Sequence, residues 1–183
     1  FNFNNKYLSL DQINKKSKVI KWSNQVLSSV EKQLPLPRMY FSSIPKNIDE
    51  YKILEKKRAF LSILLPIALR GNELVLEERK LLKDAFLTNN IYKIELFAKK
   101  YKVKNFKKIN FGSLTSLQLK NIKKELLIKV NIIPVSMIIA QAIIESGWGA
   151  SRFAKEGNAL FGEWTWKNND GIKPNGNLDA NFA

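Results

Sequence analysis

The sequence has no cysteine and no histidine. Their absence excludes thiol nucleophiles, thiolate and imidazole metal sites, and every Ser-His or Cys-His catalytic pair. Chemistry is left to carboxylates, hydroxyls, lysine and tyrosine, and neither a cofactor nor a metal is expected. Lack of cysteine does not choose a compartment, because it suits a reducing cytosol and a disulfide-free periplasmic protein alike. Acids are also scarce. The chain carries 16 Asp and Glu against 31 Lys and Arg, a net charge of +15. Such an excess invites a nucleic-acid partner. Most of it is lysine, however, whereas bases and phosphates are read by the bidentate guanidinium of arginine. The basic residues also read as scattered along the chain. No specific nucleic-acid binding is therefore expected, and long-range attraction to an acidic polymer or a membrane surface is.

Long apolar runs are missing as well. The strongest, "AFLSILLPIAL", covers Ala59 to Leu69, short of the roughly 20 residues that cross a bilayer. No transmembrane span is expected, and no signal peptide with a charged start and small-residue cleavage site is visible at Phe1. What is present suits a folded domain: 45% hydrophobic and 11% aromatic residues in 183, enough for a sizeable core.

Helical spacing dominates the chain. Apolar positions from Ile13 to Leu34 predict an amphipathic helix over residues 11–33, followed by an extended linker at Pro35, Pro37 and Pro45. A second helix is predicted from about Asp49 to Leu69, kinked or punctuated by Pro66 and ended by Gly71-Asn72. "EERKLLKDAFLT" and "NIYKIELFAKKY" read as two short helices. "SLTSLQLKNIKKELLIKV" reads as another, with Ser113 or Thr115 as N-cap. From Asn158 onward, aromatics, glycines and asparagines predict loops or a short hairpin. No internal repeat or low-complexity tract interrupts this pattern. The expected fold is mainly α, with a small β or irregular lobe at the C-terminal side.

The segment "PVSMIIAQAIIESGWG" (134–149) stands apart. Pro134 suits a helix start and Gly147 a left-handed stop. The residues between are apolar almost all round, which predicts a buried helix. Gln141 and Glu145, four apart, form a narrow polar stripe. An acid in the last turn opposes the helix dipole, and apolar neighbours such as Trp148 disfavour its charged form. Glu145 is thus expected to keep its proton near neutrality, as a glycosidase acid must. The lysozyme glutamate packed against a tryptophan is the worked precedent for this reasoning. Helix position alone equally allows a surface acid beside Arg152 or Lys155.

The longer stretch "ESGWGASRFAKEGNALFGEWTW" (145–166) resembles the glucosaminidase domain of the lysozyme-like superfamily, bacterial enzymes that cut the glycan of peptidoglycan. Upstream, "LPRMYFSSIPK" (36–46), "KRAFLSILLPIALRGNE" (57–73) and "VNIIPVSMIIAQAIIESGWG" (130–149) resemble its Bax-type members, so the likeness runs from about residue 36 to 176. The resemblance implies a lysozyme-like helical fold and a glycosidase cleaving β-1,4 bonds at N-acetylglucosamine. It puts Glu145 at the catalytic position, with Gln141, Ser146, Trp148 and "GNALFG" (157–162) in the same motif, and makes Gln141, Ser146, Trp148, Asn158, Phe161 and Trp164 the expected substrate-binding residues.

Trp148, Phe161 and Trp164 have aromatic faces that stack on sugars or build a small core; Trp148 and Phe161 are expected nearer the core and Trp164 nearer the substrate. Asn158 would hydrogen-bond an N-acetyl group or cap a turn. Glycosidases normally use two carboxylates, and the second is open among Glu156, Glu163, Asp170 and Asp179. The resemblance also implies a monomer at the bacterial cell envelope, in the periplasm, acting on peptidoglycan glycan strands. Two parts are expected, an N-terminal helix with its linker over residues 1–48 and the glucosaminidase-type domain over 49–183. That domain's second lobe is expected to be incomplete and poorly ordered from about residue 167. A non-catalytic glycan-binding or scaffold module on the same fold is the alternative.

Overall fold

The computed structural model describes residues 6–8 and 15–162, and within them it is mainly helical, as expected for a lysozyme-like domain. Of the lobe expected from Asn158 onward only residues 158–162 are described, and the terminal stretch expected from about residue 167 lies outside the described residues. Among the described residues six α-helices run in order: α1 (Lys16–Glu31), α2 (Ile53–Leu87), α3 (Ile91–Lys100), α4 (Ser116–Lys129), α5 (Val135–Ser146) and α6 (Arg152–Gly157). Two three-residue strands, β1 (Lys6–Leu8) and β2 (Met39–Phe41), pair in parallel with Tyr7 opposite Tyr40. β2 thus lies inside the segment expected to be plain linker.

The chain divides into two compact units, one holding residues up to Ala68 together with those from Pro134 on, the other Leu69–Ile133. The division expected at residue 48 is therefore not where the contacts separate. The first unit buries α1 residues Val19, Trp22 and Val26 with Phe41, Ile44, Ile48, Phe60, Ile63, Leu64 and Ala142. Val19, Trp22, Ser23 and Val26 form one stripe at helical spacing. A helix with that stripe inside the core cannot be a separate arm.

Pro66 does not break α2, which runs for 35 residues. Its ring removes the N–H that would bond the Ser62 carbonyl four residues back. The indole N–H of Trp22 donates to that same carbonyl at 3.1 Å, so no buried acceptor is left unpaired. The Ser62 hydroxyl, also buried, donates to Ala59 O at 2.8 Å and meets the Ser23 hydroxyl at 2.9 Å. Gly71 does not end the helix either. Arg70, on one side of it, reaches Glu73 at 3.0 Å and Glu77 at 3.3 Å on the other. Because α2 is continuous, it is long and apolar enough to cross a membrane by length and composition, although 39% of its most apolar window is buried in the protein.

Gly71 is exposed, helical, and has no atom within 4 Å of where a Cβ would sit. Glycine inside a helix costs about 0.5–1 kcal/mol relative to alanine. Gly71→Ala is therefore expected to stabilise the chain by that amount, read as a raised denaturation midpoint. A lowered midpoint would mean that the helix needs a flexible point there.

The second unit packs Leu82 and Ala85 of α2, Ile94 and Ala98 of α3, and Ile122 and Leu126 of α4 around Val103, Phe111 and Val130. Its termini are closed by side chains. Thr115, not Ser113, caps α4 in a full capping box with Gln118. Arg79 donates to the Leu127 and Val130 carbonyls at the other end of that helix. Asn72 clasps Ile133 in both directions, giving its amide N–H to the carbonyl at 2.7 Å and accepting from the backbone N–H at 3.1 Å. Glu78 accepts from Lys100 at 2.6 Å and Tyr101 at 2.7 Å. Burial together with the Glu78 carboxylate pushes the Tyr101 phenol up to about 12.

Candidate active site

α5 packs on the first unit by one stripe, Ile139, Ala142, Ile143 and Ser146. The expectation of a helix buried all round is corrected here. Ile144 is 80% exposed and Met137 62%, and Gln141 and Glu145 are exposed too. All-round hydrophobicity identified a helix with apolar faces to spare; it did not identify how many of them the described residues cover. The burial expected around Glu145 is likewise absent from the described residues. Its carboxylate stands on an open helix face one turn above Gln141.

The chain leaves α5 through a turn of unusual backbone. Gly147, Trp148 and Gly149 are all left-handed, at φ 57°, 61° and 74°. Glycine takes this conformation freely, whereas a bulky residue such as Trp148 resists it. Three contacts hold it there. The Trp148 ring lies edge-on to Phe60 with centroids 6.0 Å apart. The Lys57 ammonium stands 5.2 Å from the same ring, a favourable cation–π distance. Gly149 passes so close to Phe60 that a Cβ would come within 3.0 Å of its ring. Trp148 thus packs against the core, the side on which it was expected.

Ser146 is fully buried. Its hydroxyl donates to Ala142 O at 2.5 Å and accepts from Gly149 N at 2.9 Å. The substrate contact expected of Ser146 is corrected accordingly, because the side chain is committed to closing the turn. Ser151 then caps α6 by accepting from Ala154 N at 3.1 Å. Lys155 pairs with Asp49 at 2.8 Å, which holds the Asp49 carboxyl below its usual range. Asn158 ends α6 in the left-handed conformation and donates to the Ser42 carbonyl at 3.2 Å. Of its two expected roles the turn cap is the one observed, and the amide nitrogen is spent on backbone.

Phe161 is 40% exposed, farther from the core than expected. Trp164 lies outside the described residues. So do Glu163, Asp170 and Asp179, three of the four candidates for a second acid. The fourth, Glu156, is exposed and paired with Arg152 at 3.4 Å on α6. Among the described residues no group of three or more acids gathers as a metal site would require.

Gly162 was missed by sequence reasoning as an individual residue. It is left-handed at φ 64°, and a Cβ built on it would lie 3.0 Å from Glu145 Oε2. The only signal for it was its place at the end of "GNALFG". The backbone at 162 therefore runs directly against the candidate acid, which joins the Glu145 helix end to the loop after α6.

A mainly helical domain that presents one glutamate at the end of an apolar helix, beneath a glycine-bearing loop, defines a lysozyme-like class of protein. A family model, Glucosaminidase (mannosyl-glycoprotein endo-beta-N-acetylglucosaminidase), matches residues 120–181, which include α5, α6 and Gly162. The chain is also 31% identical over 143 residues to protein bax of Escherichia coli (strain K12), covering 74% of this chain and 44% of that relative. These findings make it a Bax-type glucosaminidase-domain protein. It spans less than half the length of the curated relative it matches. No solved structure matches it.

Proposed function

We propose that this protein is a glycoside hydrolase that cleaves β-1,4 bonds at N-acetylglucosamine in peptidoglycan glycan strands, with Glu145 as the general acid. The observation that carries this reading is the pairing of an open Glu145 carboxylate with the Gly162 backbone, inside the segment matched by the glucosaminidase family. A glycosidic bond breaks when its leaving oxygen receives a proton as the sugar develops oxocarbenium character. A carboxylic acid can make that transfer when it lies within hydrogen-bond reach of the oxygen, and the exposed face of α5 leaves Glu145 open to an incoming sugar. Gln141, one turn below, supplies an amide to orient a sugar hydroxyl or N-acetyl group, and Phe161 supplies an exposed apolar face for a ring. Attack on the anomeric carbon comes from water, helped by a second carboxylate or by the substrate's own N-acetyl oxygen.

The substrate implies a place at the bacterial cell envelope, in the periplasm, and lysine placement fits an anionic surface there. The positive charge is less scattered than the sequence suggests at first sight. No acid occurs between Glu95 and Glu125, and every lysine from Lys99 to Lys124 is exposed. Attraction of this kind is screened within about 10 Å at 0.1 M salt. Binding to cell-wall preparations is expected to weaken strongly from about 0.05 to 0.5 M salt, while cleavage of short neutral fragments holds steady. Salt-independent wall binding would remove the lysines from the account.

The direct test of the reaction is incubation with purified peptidoglycan and mass analysis of the new reducing ends. N-acetylglucosamine ends support the assignment. Muramic acid ends would move the cut to the other bond, and no new ends would leave a glycan-binding module on the same fold.

A further inference from the structure

We propose that Gly162 is a positioning residue for the Glu145 carboxylate, a role that rests on the hydrolase reading above and deepens it. Among the described residues three glycines are left-handed, and each would meet something different if it carried a side chain. At Gly149 (φ 74°) the new Cβ strikes the Phe60 ring at 3.0 Å and Ile44 at 3.1 Å. At Gly147 (φ 57°) it meets none of the described residues within 4 Å. At Gly162 (φ 64°) it meets Glu145, with Oε2 at 3.0 Å and the carboxyl carbon at 3.7 Å. A separation of 3.0 Å is inside van der Waals contact for carbon and oxygen, so one of the two atoms must move.

What moves decides the consequence. Phe60 is locked in the core, so a side chain at 149 strains the whole packing. Glu145 is an exposed, flexible side chain, and its carboxylate swings away at little cost in stability. Catalysis is less forgiving. Displacing a reacting group by about 1 Å costs on the order of 100-fold. The bare Cα of residue 162 therefore serves Glu145 as a fixed stop, limiting its rotamers on one side without occupying the place of the acid oxygen.

Gly147→Ala supplies the control. It imposes the same left-handed strain on alanine but sends no atom toward another residue. Both Gly147→Ala and Gly162→Ala are expected to lower Tm by a similar few degrees, about 2–4 °C. Their kinetics should part. Gly162→Ala is expected to lower kcat by about 10- to 100-fold with KM within about threefold, while Gly147→Ala keeps kcat within about threefold. Equal kcat for the two variants overturns the proposal, as does a Gly162→Ala loss that lies wholly in KM. The carboxyl carbon resonance of Glu145, read by carbon-13 NMR, gives a second readout that needs no turnover. It should move in Gly162→Ala by more than in Gly147→Ala, and equal or smaller movement again overturns the proposal. Absence of hydrolysis by the wild type would sink the hydrolase reading alone and leave this resonance to decide the contact.

Discussion

Glu145→Gln is expected to lower peptidoglycan hydrolysis by about 100- to 10,000-fold, the range that a general acid contributes, while leaving the fold and glycan binding intact. The amide matches the protonated acid in size and neutrality. It cannot release a proton to the leaving oxygen. Among the described residues Glu145 makes no contact that the core depends on: it is exposed at the end of α5, whose packing runs through Ile139, Ala142, Ile143 and Ser146. Tm and far-ultraviolet circular dichroism should therefore match the wild type, so that a loss of turnover reports chemistry. A variant that retains turnover within about threefold would remove Glu145 from the role of acid.

Phe60→Ala is expected to destabilise the protein by about 3–5 kcal/mol, the usual cost of deleting a buried aromatic. Phe60 is fully buried, and it supports the turn after α5 from two directions. Its ring meets the Trp148 ring edge-on and fills the space that Gly149 leaves by lacking a Cβ. Removing it opens a cavity under the left-handed turn that ends the Glu145 helix. Total stabilities of about 5–15 kcal/mol make that a large fraction. Urea unfolding should show the shift, with hydrolysis falling at temperatures where the variant is still folded. A cost below about 1.5 kcal/mol would mean that Trp148 and Gly149 are held by something other than Phe60.

Local signals were legible where the physics is local. The Thr115 cap, the left-handed Gly147 and the spacing of α1 each follow from a few neighbouring residues. The misreadings have long-range causes. Pro66 looked like a break because its own segment offers no donor for the Ser62 carbonyl; the donor is Trp22, 40 residues earlier. Gly71 looked like a stop, yet an Arg70–Glu73 pair spans it. Ser146 looked like a substrate contact beside Glu145. Each helix residue is rotated about 100° from the one before it, which places Ser146 on the packed side and Glu145 on the open one. The Gly162 contact was invisible because it joins a loop to a helix end, and a glycine in a motif does not announce which atom it makes room for.

The most direct test of the central claim is digestion of purified peptidoglycan in oxygen-18 water, by the wild type and by Glu145→Gln. A glutamate-assisted hydrolase transfers water oxygen to the anomeric carbon it releases. The account predicts new N-acetylglucosamine reducing ends that carry the heavy oxygen with the wild type and are nearly absent with Glu145→Gln. Unlabelled new ends, or labelled ends in equal amounts from both proteins, would contradict it.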